Sequence, residues 1–328
     1  MRQIHHNNSS WQLARAFIIS RGAKTQADVI QVAITEDDQT GMGECVPYAR
    51  YGETLASVAA QIDSIAAQLA EGLSREDLQP LLPAGAARNA IDCALWDLEA
   101  KLSGQSVSQR SKLAAATELV SAQTLSIDTP EEMAKEAMQH KNCPLIKVKL
   151  DANQVVDRMR AVNQVAPDSK FIIDANEAWS LELLNSISDD LESLGVTLIE
   201  QPLAADKDED LVNYHGNIAL CADESCHTHT DIPKLANRYQ AINIKLDKTG
   251  GLTEAIHTDN LARKHNMQVM VGCMVGTSLA MAPATLLAAN AEYVDLDGPA
   301  LLAEDVANGF RFNNGTMSAL DPRLWGSA

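Results

Sequence analysis

From about residue 120 onward the chain repeats one pattern, a short run of aliphatic and β-branched residues followed by a longer stretch with apolar residues at helical spacing. The runs lie near "SAQTLSI", "LIKVKL", "KFIIDAN", "TLIEQP", "ALCADES", "AINIKLD", "QVMVGCM" and "YVDLDGP". They recur at intervals of roughly 22 to 27 residues, the length of one strand, one helix and two short loops. Eight such runs in series predict a closed parallel barrel, a TIM-like (β/α)7β arrangement. The first hundred residues read differently. "DVIQVAIT" over 28–35 predicts a strand, "GMGECVP" a glycine-punctuated turn and strand, and 55–71 a helix. In "AARNAIDCALWDLEAKLSG", Ala90, Ile91, Ala94, Leu95 and Leu98 share one helix face, and Gly104 supplies a stop. The expected organisation of this α/β chain is thus an α+β capping domain over 1–118, a barrel over 119–297, and a tail over 298–328 that completes the cap.

Alternation within the runs brings in the chemistry. Successive strand side chains point to opposite faces, so Lys147 and Lys149 share one face of "LIKVKLDAN" while Ile146, Val148 and Leu150 share the other. Lys245 in "INIKLD" has Asn243 and Asp247 on its own face. Solvent-facing lysines suit an open sheet better than a closed barrel. In a barrel the catalytic groups sit at the C-terminal ends of strands. Asp174 ends "FIID", Glu200 ends "TLIE" and Asp223 follows "ALCA", so three consecutive strands each deliver a carboxylate to one rim. Any one of them could simply cap the following helix. Three converging carboxylates repel one another unless a hard divalent cation sits among them, and all-oxygen ligands favour Mg²⁺ or Mn²⁺ over zinc.

Strands two and six of an eight-stranded ring lie half a circumference apart, which sets Lys147 and Lys149 opposite Lys245 across the cavity. That arrangement suits removal of an α-proton from an acid by one lysine and return of a proton by the other on the opposite face, through an enediolate. The base must be neutral. A neighbouring ammonium, Lys147 beside Lys149, together with the cation would lower its pKa, and Asp247 is placed to orient Lys245.

Composition and charge narrow the partners. With 46% hydrophobic and only 4% aromatic residues the core is aliphatic. A net charge of −18 argues against nucleic acid and anionic membrane surfaces as partners. The N-terminus lacks the apolar run of a secretory signal and no stretch is long enough to span a bilayer, so a cytoplasmic protein is expected. Six scattered cysteines fit a reducing compartment. Cys221, Cys226, His227 and His229 match no standard pair of zinc-ligand hooks. Near the chain's end "VDLDGP" places Asp295 and Asp297 on one face, a second acidic cluster away from the first. A turn or helix cap is the plain alternative. Otherwise the pair calls for a cation, and a substrate's ammonium supplies one.

"KVK", "DAN", "EQP", "ADES" and "NIKLDKTGG", in this order on successive strands, resemble the enolase superfamily, and within it the muconate-lactonizing subgroup. The resemblance covers nearly the whole chain, the "ALWDLEAKLSG" helix included. It implies Asp174, Glu200 and Asp223 as Mg²⁺ ligands, Lys149 and Lys245 as the acid/base pair, Lys147 as an auxiliary lysine, and Asn176 as a supporting residue. The subgroup also contains cycloisomerases, o-succinylbenzoate synthases and N-succinylamino acid racemases. The Asp-x-Asp of Asp295 and Asp297 is similar to that of dipeptide epimerases acting on L-Ala-D/L-Glu, where it reads the substrate amine. This likeness implies a dipeptide substrate, a place in murein peptide recycling, a basic residue for the Glu side chain in "FIISRGAKT" (Arg21, or else Lys24), and a substrate contact at Thr124. A solvated strand end accounts for Arg21 as simply. A homo-oligomer is compatible with this reading.

Overall fold

The computed structural model describes residues 2–328. Its N-terminal part is a three-stranded antiparallel sheet of β1 (Gln3–Ile19), β2 (Gly22–Glu36) and β3 (Gln39–Cys45), in that order. The β2–β3 connection is the pair Asp37 and Asp38, both left-handed (φ 48° and 62°), a conformation that short acidic side chains tolerate. The glycines of "GMGE" are therefore not in a turn. They lie inside β3, where a Cβ on Gly41 or Gly43 would stand 2.1 Å from the carbonyl oxygen of Ala94 or Ala90. Their bareness lets the helix Ala86–Ser103 lie directly on the strand. That helix ends where Gly104 turns left-handed at φ 66°. The helix expected over 55–71 is broken at Ile65 into Leu55–Ser64 and Ala66–Ala70. Val58, Ile62, Ile65 and Leu69 all face one core, so their spacing runs through the break and conceals it.

Beyond a short strand β4 (Glu118–Val120), eight parallel strands follow in sequence order: β5 (Gln123–Leu125), β6 (Leu145–Lys149), β7 (Lys170–Asp174), β8 (Val196–Glu200), β9 (Ala219–Ala222), β10 (Ala241–Ile244), β11 (Gln268–Gly272) and β12 (Tyr293–Asp295). The ladder runs from β5 to β12 without a crossover. Across the remaining seam the Ala122 amide donates to the Val294 carbonyl at 2.8 Å, and the Leu296 amide to Ser121 Oγ at 2.9 Å. The outward faces, including Ile146, Val148, Ile173, Ile199, Ile242 and Ile244, bury against the surrounding helices in the main core. Inward, Ala122, Leu145, Ile172, Leu198, Cys221, Ala241 and Met270 form a separate apolar cluster. Asp174 and Glu200 stand at the C-terminal ends of their strands.

The tail touches both parts of the chain. Two short strands, β13 (Phe312–Asn313) and β14 (Thr316–Ser318), form a small sheet with β4. Further on, Trp325 is buried with its Nε1 donating to the Cys93 carbonyl at 3.1 Å, and the Gly326 amide donates to Asp97 Oδ1 at 2.7 Å. All six cysteines are free. No helix among the described residues is long and apolar enough to cross a membrane.

Candidate active site

The strand parity of β6 puts Lys147 and Lys149 inside the barrel, 1% and 7% exposed, which removes the solvent-facing reading. Across the ring, Lys245 is 6% exposed. Between them the ends of β7 and β8 carry Asp174 and Glu200, fully buried, and the loop after β9 carries Asp223. Lys149 pairs with Asp174. Lys245 Nζ lies 2.6 Å from Asp223 Oδ2 and 3.8 Å from Glu200 Oε1. The two lysines thus approach the acidic trio from its opposite members.

Lys147 occupies the middle, 3.1 Å from Asp174 Oδ2, 2.6 Å from Glu200 Oε2 and 2.7 Å from Asp295 Oδ2. This corrects one expectation. Asp295 and Asp297 are not an acidic cluster remote from the first, because Lys147 ties Asp295 to the trio. Burial disfavours the Lys147 and Lys245 ammoniums, but the carboxylates facing them outweigh it and hold both well above the ordinary lysine value.

The backbone at these strand ends is locally strained. Asn176, Glu177 and Gln201 adopt positive φ (43°, 69° and 35°) just after the carboxylates. The turn after β7 lets the Asn176 amide donate to Asp174 Oδ1 at 2.9 Å. The turn after β8 sends the Gln201 side chain beneath the next loop, where its Oε1 accepts from the Asp223 amide at 2.9 Å and the Ser225 amide at 3.1 Å. Lys248, 1% exposed, donates to the carbonyls of Asp223 (2.5 Å) and Asn243 (2.9 Å). Asn243 in turn donates to Glu200 Oε1 at 2.7 Å. Gln201 and Lys248 are positioning residues that sequence reasoning missed, although both lie inside quoted motifs.

Asp247 does not reach Lys245. It accepts from the Val46 amide at 3.0 Å and Asn89 Nδ2 at 2.8 Å, so it joins barrel to cap. The cause is local: β10 ends at Ile244 and residues 246–249 are helical, which abolishes the period of two on which the expectation rested.

The cavity above these groups has a volume of about 420 Å³. Lys147, Lys149, Lys245, Asp223, Asn176, Thr124, Asp295 and Asp297 line it from the barrel, and Arg21 and Lys24 from the cap. The cap's contribution comes from the β1–β2 hairpin tip and from Tyr48, Arg50 and Tyr51. Arg21 donates to the Asn176 carbonyl at 3.1 Å and pairs with Glu224 at 2.8 Å. Glu224 is another residue the alternation could not reveal, since it follows Asp223 in an irregular loop. Lys24 sits over the Tyr48 ring, 4.8 Å from its centroid. Asp297 accepts from the Thr124 amide at 2.7 Å and makes no cap to the short helix after it. Burial, then the neighbouring Asp295, pushes the Asp297 carboxyl up to about 7.

The donor set of the trio, carboxylate oxygen throughout, suits a hard divalent cation. Glu200 Oε2 and Asp223 Oδ1 are buried and, although lysine nitrogens approach them, neither accepts an aligned hydrogen bond. Buried carboxylate oxygens left in that state are ready ligands for an oxygen-preferring ion.

A parallel eight-stranded barrel, with acids on three successive strands, lysines on either side of them and a cap closing its mouth, defines a class of barrel enzyme with one shared polar centre. The chain belongs to the enolase superfamily: residues 131–323 match the enolase C-terminal domain-like family, and residues 1–110 match the mandelate racemase / muconate lactonizing enzyme N-terminal domain. Among its relatives, an N-acetyl-D-glutamate racemase of a Pseudoalteromonas species is 48% identical over 92% of this chain and 96% of its own. An L-Ala-D/L-Glu epimerase of Escherichia coli (strain K12) is 44% identical over 97% and 99%. A crystal structure of an enolase family member from Agrobacterium tumefaciens, with homology to dipeptide epimerases and with bound sodium and L-Ala-L-Glu, superposes with a TM-score of 0.96 at 45% identity, covering 99% of this chain and 100% of that one. A dipeptide epimerase from Enterococcus faecalis V583, complexed with Mg and L-Leu-L-Tyr, has a TM-score of 0.90 at 27% identity, covering 99% and 98%.

Proposed function

We propose that this isomerase is a Mg²⁺-dependent dipeptide epimerase that inverts the Glu α-carbon of L-Ala-Glu. The single observation that carries the substrate assignment is the charge count beside the lysines. Asp295 and Asp297 line one end of the cavity, and among the described residues Lys147 is the one cation within 4.0 Å of either. A dipeptide's ammonium completes that balance. The Glu side-chain carboxylate is assigned to Arg21, with Lys24 near it on the same hairpin.

Asp174, Glu200 and Asp223 would hold Mg²⁺, which would supply positive charge to stabilise negative charge on the substrate's own carboxylate. Lys149 and Lys245 approach the trio from opposite sides and are assigned to opposite faces of the α-carbon. One, as the neutral amine, takes the α-proton, and the other, as the ammonium, returns a proton to the opposite face. Lys147 holds the substrate carboxylate as an auxiliary cation, and Asn176 fixes Asp174. The cap walls the cavity from water, and a role in recycling murein peptides follows from the substrate.

The test is proton NMR in D₂O with Mg²⁺ and L-Ala-L-Glu. Loss of the Glu α-proton signal together with appearance of L-Ala-D-Glu is the expected result, and no exchange with any dipeptide overturns the reading. The racemase relative favours a second substrate, N-acetylglutamate, which has no ammonium. Asp297→Asn separates the two. It should reduce turnover of L-Ala-Glu by roughly tenfold or more, the worth of a charge-assisted contact, whereas activity on N-acetylglutamate alone, indifferent to Asp297, would favour the racemase.

A further inference from the structure

Outside the cavity, His229, Glu254 and His257 come together at the rim of the barrel, with one ligand atom from each within 4.8 Å of the others. We infer that these three side chains form a second, nitrogen-rich metal site for a borderline divalent ion such as Zn²⁺, distinct in chemistry from the all-carboxylate centre.

Glu254 and His257 stand three residues apart on the helix Leu252–Lys264, a spacing that puts both on one face. His229 reaches them from the short helical turn His229–Asp231, and its ring lies nearly perpendicular to that of His257, with centroids 6.0 Å apart. Glu254 is buried and already oriented: its Oε1 accepts from the His229 amide at 2.8 Å and faces His229 Nδ1 at 2.7 Å. His257 is exposed, so the site opens to solvent and needs no entry path. Two imidazoles and one carboxylate are a recurrent zinc donor set. Bonds of about 2.1 Å at tetrahedral angles would set ligand atoms about 3.4 Å apart, so the Nδ1···Oε1 pair has to open by less than an ångström.

The site has a structural link to the catalytic centre. None of the three ligands lines the cavity, yet His229 ends the loop that starts at Asp223 and Glu224. Within that loop the His227 ring nitrogen meets the Glu224 carbonyl at 3.2 Å, and the His227 ring packs edge-on against Tyr51, 4.6 Å between centroids. An ion at His229 would pin the far end of the segment that carries Asp223 and Glu224.

The experiment titrates Zn²⁺ calorimetrically into protein saturated with Mg²⁺. Wild type should take up one equivalent of Zn²⁺ beyond any exchange at the carboxylate centre, and Glu200→Gln, which removes an acid from that centre, should retain it. His257→Ala, a change on the surface, should weaken this uptake by at least about tenfold while leaving the Mg²⁺-supported proton exchange unchanged. Equal zinc binding by wild type and His257→Ala, or loss of all zinc uptake in Glu200→Gln, overturns the proposal.

Discussion

Lys149 and Lys245 each meet one end of the acidic trio, and the two-base reading assigns a separate face of the substrate to each. Replacing either with alanine should lower epimerisation by roughly 10²–10⁴-fold, the range for loss of a general acid or base. Exchange should survive differently in the two variants: one should exchange the α-proton of the L,L-dipeptide and the other that of the L,D-dipeptide, each without inversion. Solvent deuterium incorporation measured separately on the two epimers checks this, and normal epimerisation by both variants would remove the assignment. These lysines were legible because period-two alternation and strand-end position are local properties. Glu224, Gln201 and Lys248 were not, because each leaves the regular pattern in a loop or a single helical turn. Asp247 was misread for the same reason, since β10 ends three residues before it.

At the level of elements, β3 lies directly on the helix Ala86–Ser103. A methyl group at Gly43 would meet the Ala90 carbonyl at 2.1 Å and the Ala94 amide nitrogen at 2.9 Å, both main-chain atoms that cannot rotate away. Gly43→Ala should therefore destabilise the fold by roughly 1–3 kcal/mol, the ordinary range for overpacking. A urea titration measures this, and an unchanged midpoint would mean that the helix shifts freely. The glycines drew notice in the sequence as punctuation, whereas their role is contact, which depends on a helix some fifty residues away. The long strand β1 went unread because "HHNNSS" carries no apolar alternation. It is a strand because β2 pairs with it from Gln3 opposite Thr35 to Ile19 opposite Gly22.

For the molecule as a whole, the union of cap and barrel passes through a buried carboxyl. Burial pushes Asp247 up to about 7 despite the donors Val46 and Asn89. A carboxyl that stays protonated in the folded chain and ionises in the unfolded one near 3.9 stabilises the fold fully below that value. The contribution is lost as the pH rises through about 7, and each unit of the elevation corresponds to about 1.4 kcal/mol. Asp247→Asn keeps the acceptor oxygen and removes the titration. Relative to this variant, the wild type should lose melting temperature between pH 5 and pH 8. Parallel curves in thermal unfolding scans would show that Asp247 does not titrate in that window.

By itself the sequence determined the barrel, the order of its strands and the inward side chains at their ends, because alternation, strand length and interval are written in neighbouring residues. Tertiary structure decided which of those side chains share a partner. Lys147 binds Asp295 to the trio, Asp247 faces the cap, and His229 meets Glu254 and His257. Such encounters depend on closure of the ring and the seating of one domain on the other, which bring together groups up to 201 residues apart, a separation at which local periodicity carries no information.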